Sequence, residues 1–360
     1  MASLWLMIPN DYDLKQVLPV LADFVDTARS GALPARTRAS YAWLEPISGM
    51  ADPVKGGFYM AADYVKYSMP IATSMTARFP QGFSQAGALG AARGQLRHGA
   101  DYLMAAHTEL GRFVVQEYDP VFAQIALQHA QQLYTLATML PAKSYCQEVV
   151  DCYEGLKSGG YKWKAYPSRH VAALLLDQLL GFAPAQQHML DFFKGWMTGL
   201  SAAKTPVLFV TPKGLHYLAG HPSAGDEPLP NAAHAAMLAL LYAHSPRAQA
   251  RGLTPYVVQN MECFALQQAT YVLGGQRGKE RSFVVGLGSN PPAKPQHRQA
   301  SCASGLMRVR SSEQSRVSVA YNVPFMGAVA GLLQHAVSPA NCQKEHGLFQ
   351  DMFLAGTPGT

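Results

Sequence analysis

The chain has 360 residues, 49% hydrophobic and only 14% charged, enough apolar material to bury the core of one large domain or two ordinary ones. Its 29 Lys and Arg against 23 Asp and Glu leave a formal charge of +6. The basic residues are scattered without a run, which argues against a nucleic-acid partner. No stretch reaches transmembrane length without a polar interruption, so no membrane partner is expected.

The opening MASLWLMIPNDYD has too short an apolar run, and turns acidic too soon, for a signal peptide. The protein is therefore either intracellular or made with an export signal outside this sequence, and its compartment is left open. Residues 14–29 follow. Leu14, Val17, Leu18, Leu21, Phe24 and Val25 recur at helical spacing, with Pro19 inside and Ser30-Gly31 as the stop. Residues 36–67 read as loop, rich in Gly, Pro and aromatics. Pro70 is placed to open a helix through about residue 79.

A long helix is expected over 85–107, with Leu89, Leu96, Tyr102, Leu103 and Ala106 on its buried side. Residues 112–118 read as a short strand or extended loop. Further helices are expected near 120–139, 144–156, 169–181, 185–200, 231–244, 255–274, 323–335 and 343–354, separated by Gly- and Pro-bearing breaks. Ten or more helices with almost no strand alternation make the class all-α. Helical hairpins then close into a toroid or stack into an open solenoid.

Five cysteines occur, at Cys146, Cys152, Cys263, Cys302 and Cys342, with no CxxC pair and no zinc-finger spacing to histidine. Buried free thiols are the expectation, with a Cys146–Cys152 bridge as the lesser alternative. No metal site and no cofactor is expected. Val285-Gly286-Leu287-Gly288 lacks the third glycine and the βαβ setting of a dinucleotide loop, and there is no Walker loop, HExxH or GxSxG. Helical histidines such as His98, His107, His129, His188 and His234 read as structural or solvated.

The stretch from Gly56 to Tyr67 is the most informative. Paired glycines permit a tight backbone, two aromatics follow, and a single carboxylate, Asp63, sits among aromatic and small residues. Such a carboxylate suits a ring-shaped ligand, and equally suits an ordinary exposed turn.

Several stretches together resemble glycoside hydrolase family 9, the endoglucanases of the (α/α)6-barrel type. Arg29-Ser30-Gly31-Ala32-Leu33-Pro34 is similar to RSGxLP, and Gly56 to Pro70 to GGxYDAGDxVKFxxP. Leu96 to Thr108 is similar to LRWxTDYLxxAHT, with Val115-Gln116 beyond it. Thr211-Pro212-Lys213-Gly214-Leu215 and Asn231-Ala232-Ala233 resemble TPxGL and ANAAF. Ser282 to Ser301 resembles SYVVGFGxNPPxxPHHRxAS, and Tyr321-Asn322 the DYNAGF end. The blocks are collinear over roughly residues 14–335. Residues 337–360 find no place in the resemblance, and segments after Asp119 and between Ser304 and Arg316 are short. The whole chain, 1–360, is thus expected to be one all-α domain, an (α/α)6 helical toroid, complete or incomplete.

The resemblance implies an inverting glycosidase acting on β-1,4-glucan. Inversion uses two carboxyls about 6.5–9.5 Å apart, one activating water and the other protonating the leaving oxygen. Carried over position by position, Asp63 falls on the base. The first Asp of DAGD is Met60, whose thioether is a poor acceptor for the water. The acid position is Arg316, which gives up no proton near neutral pH. The Asp beside the Tyr is Ala320. The first His of PHHR is Gln296, while His297 and Arg298 remain. Glu313, three residues before Arg316, is the substitute acid if the register shifts. Tyr59, Tyr64, Tyr67, His297, Arg298 and Tyr321 are the candidates for sugar contact, with core packing as the alternative for the aromatics. The partner is then a β-glucan or oligosaccharide. The expected outcome is a hydrolase with little or no activity, or a silent carbohydrate-binding or scaffold protein on the same fold. The family is usually secreted.

Overall fold

Asp13 opens the first helix. Its carboxylate accepts the Lys15 amide at 3.0 Å, and α1 then runs Leu14–Thr27. The computed structural model describes residues 13–30, 34, 54, 56–59, 66, 79–109, 112–113, 166–198, 207–211, 214–219, 228–274, 282–284, 287, 291 and 319–342. Val17, Leu18, Leu21, Phe24 and Val25 are buried and Leu14 packs beside them, so the apolar spacing finds the right face. Pro19 lies inside the helix. Its missing N–H costs the helix the i→i−4 bond that would have run to the Lys15 carbonyl.

The elements after α1 are α2 (Pro80–Gln85), α3 (Leu89–Ala106), β1 (His107–Glu109), β2 (Arg112–Phe113), α4 (Tyr166–Leu180) and α5 (Ala183–Thr198). Then come β3 (Val207–Val210), β4 (His216–Ala219), α6 (Pro228–Ala243), α7 (Pro246–Ala250), α8 (Pro255–Val272), α9 (Val319–Gln334) and α10 (Pro339–Cys342). Ser245-Pro246 and Thr254-Pro255 start α7 and α8 cleanly. Each hydroxyl accepts an amide three residues on, and the proline at the first helical position gives up no needed donor.

Two helices organise the rest. In α6 every residue from Asn231 to Ala243 is buried, and α9 is nearly as apolar around its described circumference. A helix apolar on all sides must be enclosed by others. Accordingly α6 packs on α9, α8, α4 and α5, and α9 packs on α6, α2, α1 and α8. Alanines at 232, 233, 235, 236, 239 and 243 let the neighbours approach closely. At the α2–α9 crossing there is no room for a side chain: a Cβ on Gly82 would stand 1.9 Å from the Ala330 carbonyl oxygen.

The helices expected at 169–181, 185–200, 231–244, 255–274 and 323–335 all form, with ends within a few residues of expectation. Three expectations are corrected. Leu96 is 39% exposed. The buried stripe of α3 is Ala91, Gln95, Gly99, Tyr102 and Ala106; Tyr102 and Ala106 are buried as expected, while Gln95, which donates to the Ala22 carbonyl of α1, is buried instead of Leu96. Two antiparallel hairpins form, β1–β2 and β3–β4. β2 falls within the strand or extended loop expected at 112–118, whereas β3 and β4 went unread because VLFV carries no alternation and HYLA is only four residues long. Cys263 and Cys342 are joined in a disulfide, with Cα atoms 5.5 Å apart across 79 residues of sequence, so these two are not free thiols. The helices expected at 70–79, 120–139, 144–156 and 343–354 lie outside the described residues, apart from Phe79, which precedes α2. So do Cys146 and Cys152.

Gly82→Ala should lower stability by about 1–3 kcal/mol through overpacking against the α9 backbone; an unchanged denaturation midpoint would contradict this crossing. A second test concerns pH. The His335 ring stacks on His244 with centroids 3.3 Å apart, and His244 Nε2 contacts Glu262 Oε1 at 2.9 Å. Phe79 meets His335 edge-on. Burial, then His244, push the His335 pKa down to about 4, with Glu262 opposing. A folded pKa below the unfolded value means the unfolded chain binds the proton first. Stability should therefore fall as pH drops from about 6.5 through about 4. His335→Gln should flatten that fall between about pH 7 and about pH 5 in denaturant melts; an identical slope would refute it.

Candidate active site

The candidate site is built on a seat that three of the motif blocks make together. Beyond α1 the chain runs extended, and the Ser30 amide donates to the Gly57 carbonyl at 2.9 Å while the Tyr59 amide donates to the Ala28 carbonyl at 2.8 Å. Arg29 and Phe58 are thus paired antiparallel. The Arg29 guanidinium bonds Asp26 at 2.8 Å and lies 5.9 Å over the Phe58 ring. The RSG block therefore grips the GGFY block through backbone and side chain at once.

The third block grips from the other side. His98 of α3 donates its Nε2 hydrogen to the same Gly57 carbonyl at 2.9 Å, since a carbonyl can only accept. Burial first, then Arg29, lower the His98 pKa and favour the neutral ring, while the bond to Gly57 opposes that shift. Gly56 and Gly57 both hold positive φ, at 86° and 75°. A Cβ on Gly57 would sit 2.7 Å from the Tyr102 ring. Glycine is required there twice over, by conformation and by space. Gln95 completes the join of α3 to α1 by donating to the Ala22 carbonyl at 2.7 Å.

Lys66 closes the loop. It is fully buried, and its Nζ donates to the Val54 carbonyl at 2.6 Å and the Gly56 carbonyl at 3.0 Å. The ammonium also lies 4.9 Å from the Tyr102 ring and 5.7 Å from the Tyr59 ring. The segment between Gly56 and Lys66 is held at both ends, and Asp63 is three residues before the cation. Tyr59 is only 5% exposed and packs within this seat.

The later blocks are fastened in the same manner. Between β3 and β4 the Thr211 amide donates to the Leu215 carbonyl at 2.8 Å, and the Thr211 hydroxyl accepts the Leu215 amide at 3.0 Å. Gln268 of α8, wholly buried, donates to the Gly214 carbonyl at 3.1 Å and accepts the His216 amide at 3.0 Å. His216 donates Nδ1 to the Trp196 carbonyl, and burial lowers its pKa. Asn231 is buried at the start of α6. Ser282 is buried, with Phe283 stacked on Tyr271 at the end of α8. Tyr321 and Asn322 lie on α9, which packs against both α1 and α6.

Asp63, Tyr64, Tyr67, His297, Arg298 and Glu313 lie outside the described residues, as do Met60, Gln296 and Arg316. Of Tyr321 the structure places the helix position only. Sequence reasoning singled out neither Lys66, Gln95 nor Gln268. The signal for Lys66 was a charge between Val65 and Tyr67 in an otherwise apolar run. Among the described residues no cluster of His, Cys, Asp and Glu is arranged to hold a metal, and no helix is long and apolar enough to cross a membrane.

Comparison with known proteins bears directly on this arrangement. The profile of glycosyl hydrolase family 9 matches residues 15–117 and 143–331. The chain belongs to this family. It is 23% identical over 399 residues to Endoglucanase 4 of Bacillus sp. (strain KSM-522), a match covering 81% of this chain and 60% of that protein. It is 24% identical over 414 residues to Endoglucanase B of Cellulomonas fimi, covering 85% of this chain and 38% of that one. The chain thus spans less than two thirds of the length of each. Among solved structures it is similar to a cellulase of C. cellulolyticum, with a TM-score of 0.66 at 17% identity, covering 91% of this chain and 100% of that one. It is also similar to an endoglucanase of Clostridium thermocellum complexed with cellotetraose, with a TM-score of 0.64 at 18% identity, covering 91% of this chain and 71% of that one. The fold is therefore the (α/α)6 barrel of this family's endoglucanases.

Lys66→Met keeps the chain length and removes the donor, leaving the Val54 and Gly56 carbonyls unpaired. A loss of about 1–3 kcal/mol is expected. Hydrogen exchange should quicken at the Ser30 and Tyr59 amides; unchanged protection there would contradict the loop closure.

Proposed function

We propose that the protein is a β-1,4-glucan hydrolase of the inverting kind in ancestry, with Asp63 as its water-activating base and with little or no remaining hydrolysis. The closed seat under the Asp63 segment carries the first half of this reading. Three motif blocks far apart in sequence spend their backbone bonds, two left-handed glycines and a buried ammonium on holding that one segment. A loop without a task would not need such fastening.

Arg316 carries the second half. An unactivated glycosidic oxygen leaves as an alcohol only if it is protonated, and a guanidinium supplies no proton near neutral pH. Loss of the general acid removes about 10²–10⁴-fold in rate. Met60 weakens the hold on the water, and Gln296 replaces a histidine in the cleft block. Glu313 restores the acid only if the shortened 304–316 stretch brings its carboxyl within about 0.5 Å of productive geometry.

These same three positions favour a second reading, a silent carbohydrate-binding protein on the same barrel. Tyr64, Tyr67, His297, Arg298 and Tyr321 would then still offer ring faces and donors to an oligosaccharide. Relatives of this fold have been solved complexed with cellobiose and with cellotetraose.

Purified protein on soluble β-1,4-glucan should release little or no reducing sugar. Strong hydrolysis that Glu313→Gln abolishes would overturn the inactive reading and make Glu313 the acid. Calorimetry with cello-oligosaccharides separates the remaining cases, since heat of binding without turnover is the signature of the second reading.

A further inference from the structure

We propose that the Cys263–Cys342 disulfide is a redox-controlled clip that fastens a segment beyond the family match, and one wall of a surface cleft with it, onto α8. The family profile ends at residue 331, whereas α10 spans Pro339–Cys342. This inference is independent of the catalytic reading and concerns the opposite end of the chain from Asp63.

Packing on α10 is slight: Val337 just ahead of it is buried, and Cys342 at its end rests against the core beside α8. The helix is four residues long and has no buried residue, far below the length at which a helix sustains itself. Its described ties to α8 are the disulfide and one hydrogen bond, from Gln259 Nε2 to the Asn341 carbonyl at 2.7 Å. The connection from α9 is held only at its near end, where Val337 donates back to the Leu332 carbonyl at 3.0 Å. Asn341 of α10 also forms one side of a cleft of about 460 Å³, faced by Gln249, Leu253, Gln259 and Glu262. Glu262 precedes Cys263 and contacts His244. That cleft has its outer wall only while α10 is attached.

Both cysteines are half-buried, so a small thiol can reach the bond. Attack by one thiolate of a dithiol breaks S–S and forms a mixed disulfide. The second thiolate then displaces the protein sulfur. Two electrons and two protons pass to Cys263 and Cys342, which end as thiols, and the dithiol ends as its own disulfide. In a reducing cytosol this equilibrium favours the open form, and in an oxidising compartment the closed one.

The test uses full-length protein produced in an oxidising compartment. Free thiols are alkylated without reduction, the protein is digested, and the fragment joining Cys263 to Cys342 is sought by mass. Amide exchange of residues 340–342 is then followed with and without dithiothreitol, and in Cys342→Ser. The linked fragment is expected. Exchange at 340–342 should be at least about tenfold faster in reduced protein and in the variant, with α6 and α9 unaffected. Two results would overturn the proposal: Cys263 and Cys342 both recovered alkylated from unreduced protein, or equal exchange at 340–342 before and after reduction. Should Cys342→Ser fail to fold, the reduced wild-type protein supplies the same comparison.

Discussion

The Gly57 carbonyl is the point on which the site depends. It accepts from the Ser30 amide and from the His98 ring at once, so one oxygen fixes the end of α1, the glycine pair and α3 in a single geometry. Each partner is constrained in turn. Ser30 is placed by the backbone pairing of Arg29 with Phe58, and the His98 ring, kept toward its neutral form by burial and the nearby Arg29, donates through Nε2. The Tyr102 ring pressed against Gly57 leaves no space for any other residue. A buried polar junction of this kind specifies one arrangement, because any slip strands groups that have no water to fall back on.

From that junction the chemistry follows by distance along the chain. The segment leaving Gly57 carries Asp63 and returns at Lys66, whose ammonium bonds the Val54 and Gly56 carbonyls where the loop began. Both ends of the stretch that carries the proposed base are thus fastened. On the proposed reading, the positions that would face it carry Arg316 in place of an acid, Met60 in place of a carboxylate and Gln296 in place of a histidine. A fold held by α6 and α9 tolerates such changes, since neither helix depends on cleft chemistry for its packing. Stability and catalysis are separable here.

Much of this was legible in the sequence. The α1 face, α8 with its Thr254-Pro255 start and the buried α6 follow from spacing and capping alone. The α3 interface followed only in part: Tyr102 and Ala106 lie on it as expected, but Gln95 and Gly99 are buried there too and neither is apolar. Lys66 was hidden for the opposite reason: a lysine reads as surface, and only its two carbonyl partners and two rings explain its burial. The Cys263–Cys342 pairing spans 79 residues and leaves no local pattern. The candidate site residues rest on likeness of motif alone, since a lone aspartate between aromatics has no distinctive chemistry until its opposite number is known.

The measurement that bears most directly on this account is an experimental structure that fixes the Asp63 carboxylate and every carboxyl near it. The account expects no second carboxyl at the roughly 6.5–9.5 Å that inversion requires, with the Arg316 guanidinium on the facing side of the cleft. A Glu313 carboxyl found in that range and aimed across at Asp63 would contradict it.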